Sequence, residues 1–187
     1  MRISYPLLER HSIQSVTDQT DYIKMAAIAC NCMSAVTPEQ AAIWSYPMRD
    51  ADAEAVIFNM VNAMLLRIHQ SGHLPELTEA GRALVKEGID VHMQIVDKLK
   101  NGLPFWPIGL AKFGDEFMSV GICCGDKKYL AVWRTCGESR NAVRLPIKGI
   151  SCAKMIYPTG TDPTYRIESG ELVVDMAPIT ARLFELS

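Results

Sequence analysis

The chain has 187 residues, 49% hydrophobic, 21% charged and 7% aromatic, with a formal charge of −2. This composition excludes disordered, collagenous and fibrous chains, and 19 basic against 21 acidic residues give no positive field for nucleic acid or an anionic membrane surface. No apolar stretch reaches the roughly 20 residues of a membrane span, and residues 1–10 hold no apolar secretion segment, so a cytoplasmic protein is expected.

The first element expected is a helix over residues 20–29, rich in alanine and methionine. Asp18 and Asp21 stand three residues apart at its head. Such a pair reads in two ways: as an N-cap with a first-turn acid, satisfying orphan amides and the helix dipole, or as carboxylates for acid/base catalysis. Residues 41–47 then form a short apolar run closed by Pro47, the pattern of a buried strand. Ala53, Ile57, Met60, Met64 and Ile68 recur in steps of three and four, which predicts an amphipathic helix. Leu84, Gly88, Val91, Ile95 and Leu99 predict another, opened by Thr78 and Glu79 and closed by Lys98, Lys100, Asn101 and Gly102. His69 and His73 share the spacing of a zinc pair, but no glutamate follows His69 and Ser71-Gly72 interrupts the helix. The alternative is a helix C-terminus whose histidines bond carbonyls.

Beyond Gly102 the pattern changes to short, alternating segments rich in Val, Ile, Tyr and Leu. Strands are expected at 117–123, 129–134, 142–147, 153–157, 164–167, 171–176 and 180–186, separated by turns such as Gly125-Asp126 and Ser169-Gly170. They suggest a small antiparallel sandwich. The chain thus divides into an α/β segment, 1–102, and an all-β unit, 103–187, the second expected to be the more autonomous. Cys30, Cys32, Cys123, Cys124, Cys136 and Cys152 lack both zinc-ligand and disulfide-framework spacing, and reduced, mostly buried thiols are expected. Trp44, Phe105, Trp106 and Trp133 read either as sugar-stacking platforms or as packing.

Several segments, in order and covering almost the whole chain, resemble the C-terminal part of the family 36 glycoside hydrolases, the melibiase-like bacterial α-galactosidases. They are Ile13-Gln14-Ser15-Val16-Thr17-Asp18-Gln19-Thr20-Asp21-Tyr22, Pro38-Glu39-Gln40-Ala41-Ala42-Ile43-Trp44-Ser45-Tyr46-Pro47 and Asn59-Met60-Val61-Asn62-Ala63-Met64-Leu65-Leu66-Arg67-Ile68-His69-Gln70-Ser71-Gly72-His73. Pro104-Phe105-Trp106-Pro107-Ile108-Gly109-Leu110, Tyr129-Leu130-Ala131-Val132-Trp133-Arg134 and Ala181-Arg182-Leu183-Phe184-Glu185-Leu186 follow.

The resemblance implies the C-terminal portion of a (β/α)8 barrel followed by an antiparallel β-sandwich, acting with retention on terminal α-galactosyl units of melibiose- or raffinose-type sugars, without metal or organic cofactor. It places the general acid/base at Asp18, with Thr17 where serine is usual and Asp21 supporting the same motif. Arg2 matches the arginine of a Cys-x-Gly-Gly-x-Arg-x-Asp segment that holds galactose, while Ser4 stands where its aspartate would be. Nothing corresponds to the Lys-Trp-Asp-like nucleophile motif, so the chain alone is expected to be inactive. Three readings follow from the resemblance: a C-terminal α-galactosidase segment that lacks the nucleophile, a carbohydrate-binding or assembly module that complements a separate N-terminal half or forms a homo-oligomer, and a gene remnant.

Overall fold

The computed structural model describes residues 5–160 and 164–187. A short helix α1 (Tyr5–Leu8) precedes three parallel strands, β1 (Gln14–Ser15), β2 (Ala41–Ser45) and β3 (Arg67–Gln70), in the order β1-β2-β3. Parallel neighbours need a crossover, and helices α2 (Tyr22–Cys32) and α3 (Ala53–Met64) supply the two. Each helix begins on an aspartate in extended conformation, Asp21 and Asp52, whose side chain accepts amides of the first turn. Strand β2 does not alternate, because both faces of a parallel strand are covered: Ala41, Ala42, Ile43 and Ser45 are all buried.

The helix expected to run through Ile68 ends instead at Met64, with Leu65 as its C-cap, and Ile68 belongs to β3, paired with Ile43. Ile68 still packs against the same apolar cluster as the helix, so its spacing mimicked a helical period while its backbone was paired in a sheet. A 3-10 turn (Leu74–Glu76) then leads into α4 (Glu79–Leu99), where Thr78 Oγ1 accepts the Gly81 amide at 3.0 Å. Helix α4 lies against α3 at Gly88, where an added Cβ would come within 2.7 Å of Met60 Cε.

The rest of the chain forms two antiparallel sheets. Five strands, β4 (Leu103–Phe105), β5 (Phe117–Cys124), β6 (Lys127–Arg134), β8 (Ala153–Tyr157) and β11 (Thr180–Leu186), pair in the order β4-β5-β6-β11-β8. Three more, β7 (Asn141–Pro146), β9 (Thr164–Glu168) and β10 (Glu171–Met176), pair as β7-β10-β9. Strand β4 escapes sequence reading because Pro104 sits inside it, a position tolerated only at a sheet edge. The two-residue alternation of β6 explains the layering. Tyr129, Ala131 and Trp133 enter one apolar cluster with the helices, whereas Leu130 and Val132 enter a second with Phe184 of the same sheet and with Leu145, Leu172 and Val174 of the smaller sheet. The five-stranded sheet is therefore covered on both sides, and the first core runs across position 102 without a break.

Only Cys30 and Cys32 of the six free thiols are buried; Cys123 and Cys124 are partly covered and Cys136 and Cys152 exposed. The expectation of mostly buried thiols is thus corrected, since the last two lie in or beside turns. Among the described residues no helix is long and apolar enough to cross a membrane.

Candidate functional site

The loops that leave the C-terminal ends of β1, β2 and β3 gather at one end of the parallel sheet, the end where α/β folds place their functional groups. The first of these loops carries Thr17, Asp18 and Asp21, and its conformation is written into its own side chains. Thr17 Oγ1 accepts the Gln19 amide at 3.1 Å, and Gln19 Oε1 accepts the Asp21 amide at 2.9 Å. Asp21 Oδ1 accepts the amides of Ile23 at 3.0 Å and Lys24 at 3.2 Å. Each is a short-range side-chain-to-backbone bond of the kind that fixes turns and caps.

Asp21 is thus the helix cap, and Asp18 lies three residues ahead of the role that spacing alone offered it. Partial burial works to raise the Asp21 pKa, but the amides and ammonium of Lys24 and the Ile23 amide outweigh it and hold the carboxyl below its ordinary value. Lys24 Nζ also stands 3.3 Å from Asp21 Oδ2. Asp18, in contrast, is exposed, and its carboxylate takes no hydrogen bond among the described residues. The loop therefore presents one carboxylate that is structurally committed and one that is unpaired among the described residues. Arg2 lies outside the described residues.

Two clefts flank the head of α2. The smaller, of about 260 Å³, lies between Tyr22 and the loop after β2, where Tyr46, Met48 and Asp50 face Asn59 of α3. Asn59 Oδ1 accepts the Tyr46 amide at 3.2 Å and fixes that loop to the helix. The larger, of about 500 Å³, shares Tyr22, Asp52 and Ala55 with the first and is closed by the turn between β10 and β11. Burial and the nearby Asp52 and Asp21 carboxylates push the Tyr22 phenol up, so it stays a neutral donor at ordinary pH.

His69 and His73 are brought to different elements rather than one helix face. His69 sits in β3 with its ring edge-on to Trp44 at 5.0 Å, and His73 Nδ1 meets Glu76 Oε1 at 2.9 Å. Trp106 and Trp133 act in packing: Trp106 Nε1 donates to the Cys30 carbonyl at 2.7 Å, and Trp133 is buried in the first core. Phe105 covers Gly121, whose missing Cβ would fall 2.4 Å from the ring. Sequence reading missed Glu54 and Arg182, which meet through paired bonds of 2.8 Å across 128 positions of sequence. The available signal was an arginine standing inside the otherwise apolar run Ala181 to Phe184.

No known family profile matches the chain, and no curated protein matches it. Solved structures do. A doubly substituted α-galactosidase AgaA of family 36 from Geobacillus stearothermophilus, in complex with raffinose, matches 91% of this chain at a TM-score of 0.67 and 12% identity. The α-galactosidase from Lactobacillus brevis matches 91% at 0.65 and 10% identity. A γ-cyclodextrin glucanotransferase from alkalophilic Bacillus clarkii matches 86% at 0.57 and 7% identity. The chain spans only 25% of each α-galactosidase and 28% of the transferase. The likeness is one of fold: this chain is built like a quarter of a family 36 α-galactosidase.

Proposed function

We propose that the chain is a segment of an α-galactosidase-type glycoside hydrolase, the last strands and helices of a (β/α)8 barrel over 1–102 followed by an antiparallel sandwich over 103–187, contributing Asp18 as general acid/base. One observation carries the reading: an exposed carboxylate stands on a self-braced loop past the C-terminal end of a parallel strand, in a chain whose fold matches α-galactosidases over nine-tenths of its length.

In a retaining reaction Asp18 would protonate the glycosidic oxygen while a second carboxylate, about 5–5.5 Å away, attacks the anomeric carbon as the C–O bond breaks. The Asp18 carboxylate would then take a proton from water as that water displaces the enzyme carboxylate from the sugar. Asp21 is unsuited to the second role, being committed to the cap of the same loop. Because the sequence holds no counterpart of the Lys-Trp-Asp-like nucleophile motif, the nucleophile is assigned to residues outside these 187, which by themselves are read as silent. Among the described residues β1 and β3 are the unpaired edges of the parallel sheet, and such edges favour pairing with further strands.

Acid assistance matters most for poor leaving groups. In the complemented enzyme Asp18→Asn is expected to slow alkyl α-galactosides by about 10²–10⁴-fold and nitrophenyl α-galactosides much less. Equal losses on both would assign Asp18 a structural role instead.

A further inference from the structure

The larger cleft is not used by the chemistry assigned to Asp18, yet its walls are built and braced. On one side Arg182, with only 7% of its side chain exposed, forks onto Glu54 through Nη1 to Oε2 and Nη2 to Oε1, both at 2.8 Å. Its Nε is buried without a partner among the described residues. On the other side Arg140 donates to Asp175 Oδ1 at 3.1 Å and to the Asp175 carbonyl at 2.9 Å. The turn that closes the cleft is pinned at both ends, by Arg134 Nη1 on the Met176 carbonyl at 2.5 Å and by Thr180 Oγ1 on the Ala177 carbonyl at 2.7 Å. Between these anchors Ile179 is held at φ 54°, a conformation that β-branched residues avoid.

These observations restrict what the cleft can take. Both guanidinium groups already face carboxylates, so no uncompensated positive charge remains for a phosphate or carboxylate ligand. What remains is a set of fixed acceptors: Glu54 and Asp175, each 37% exposed, and Asp52, whose Oδ1 caps the Ala55 amide at 2.8 Å while Oδ2 has no partner among the described residues. Tyr22 adds a neutral hydroxyl and a ring oriented edge-on by Phe58 at 5.2 Å. Fixed acceptors beside an aromatic ring suit a molecule that carries many O–H donors, no net charge and a C–H face. We infer that this cleft is a second carbohydrate site, binding a neutral saccharide between the head of α3 and the β10–β11 turn, separate from Asp18. The ligand class rests on the glycoside hydrolase reading; the place of binding rests on the cleft alone.

The test is a titration of the ¹⁵N-labelled full chain with raffinose, followed by amide shifts, with maltose, inorganic phosphate and putrescine as comparisons. Saturable shifts are expected at 52–55 and 175–182 with both sugars and with neither ion. Asp52→Ser keeps a capping oxygen but removes the anionic acceptor, and it should weaken raffinose about tenfold without changing the melting temperature. Asp18→Asn should leave this binding unchanged. The inference is overturned by the absence of saturable shifts, by shifts confined to residues 17–21 and 46–50, or by phosphate or putrescine binding at 175–182 in place of sugar. Intact shifts with no hydrolysis on complementation would refute the proposed function alone, and hydrolysis without the shifts would refute this site alone.

Discussion

Asp21 and Asp18 differ in what already occupies them, and the difference can be measured. Asp21 bonds two first-turn amides, so Asp21→Ala is expected to cost about 1 kcal/mol in thermal or urea unfolding. Asp18→Ala should stay within about 0.5 kcal/mol of the parent. Because the Asp21 pKa is lowered by folding, the charge-dependent part of its contribution is complete above the unfolded value near 4 and fades as pH falls through the folded value, so the Asp21→Ala difference should shrink there. His92 behaves with its own sign. Burial lowers its pKa against the bond between its Nδ1 and the Met64 carbonyl at 3.0 Å. The unfolded chain therefore takes up the proton first, and stability should fall as pH drops from about 6.5 through the folded value. A melting curve of His92→Gln that loses this part of the acid dependence confirms the assignment; an unchanged dependence refutes it.

At the scale of elements, the strands beyond Gly102 were legible because the two-residue alternation and the glycine turns agree, and each strand from β5 to β11 lies within a few residues of its expected place. The helices were legible where a cap residue opened them, as at Thr78 and Glu79. Strands β1 and β3 were not, because a two-residue parallel strand has no period to read and Ile68 fell on the helical phase of its predecessor. In the candidate site the position of Asp18 and Asp21 at the head of α2 was legible, but which of them caps the helix was not, since either carboxylate suits a cap. The Glu54–Arg182 fork was not, since nothing local joins residues 128 positions apart. Breaking it by Glu54→Ala should destabilise by about 2 kcal/mol, between the values for exposed and buried pairs, because Arg182 is buried and Glu54 only partly so. Gly121→Ala forces its new methyl into the Phe105 ring and the Tyr129 carbonyl; about 1–3 kcal/mol of destabilisation is expected by chemical denaturation.

For the molecule as a whole, the first core joins Met25, Phe58 and Met64 of the helices to Tyr129, Trp133 and Leu183 of the five-stranded sheet. An autonomous β unit would have to expose that apolar face, so the greater autonomy expected of residues 103–187 from their strand pattern meets a physical obstacle. One cooperative unfolding transition is expected by both far- and near-ultraviolet circular dichroism; two separated transitions would show that the parts fold independently. The most direct measurement is hydrolysis of nitrophenyl α-galactoside by the purified chain, alone and mixed with the polypeptide encoded immediately upstream. The account predicts silence alone and turnover on mixing, whereas turnover by the chain alone at the rate of an intact glycosidase, or a mixture that stays silent, would contradict it.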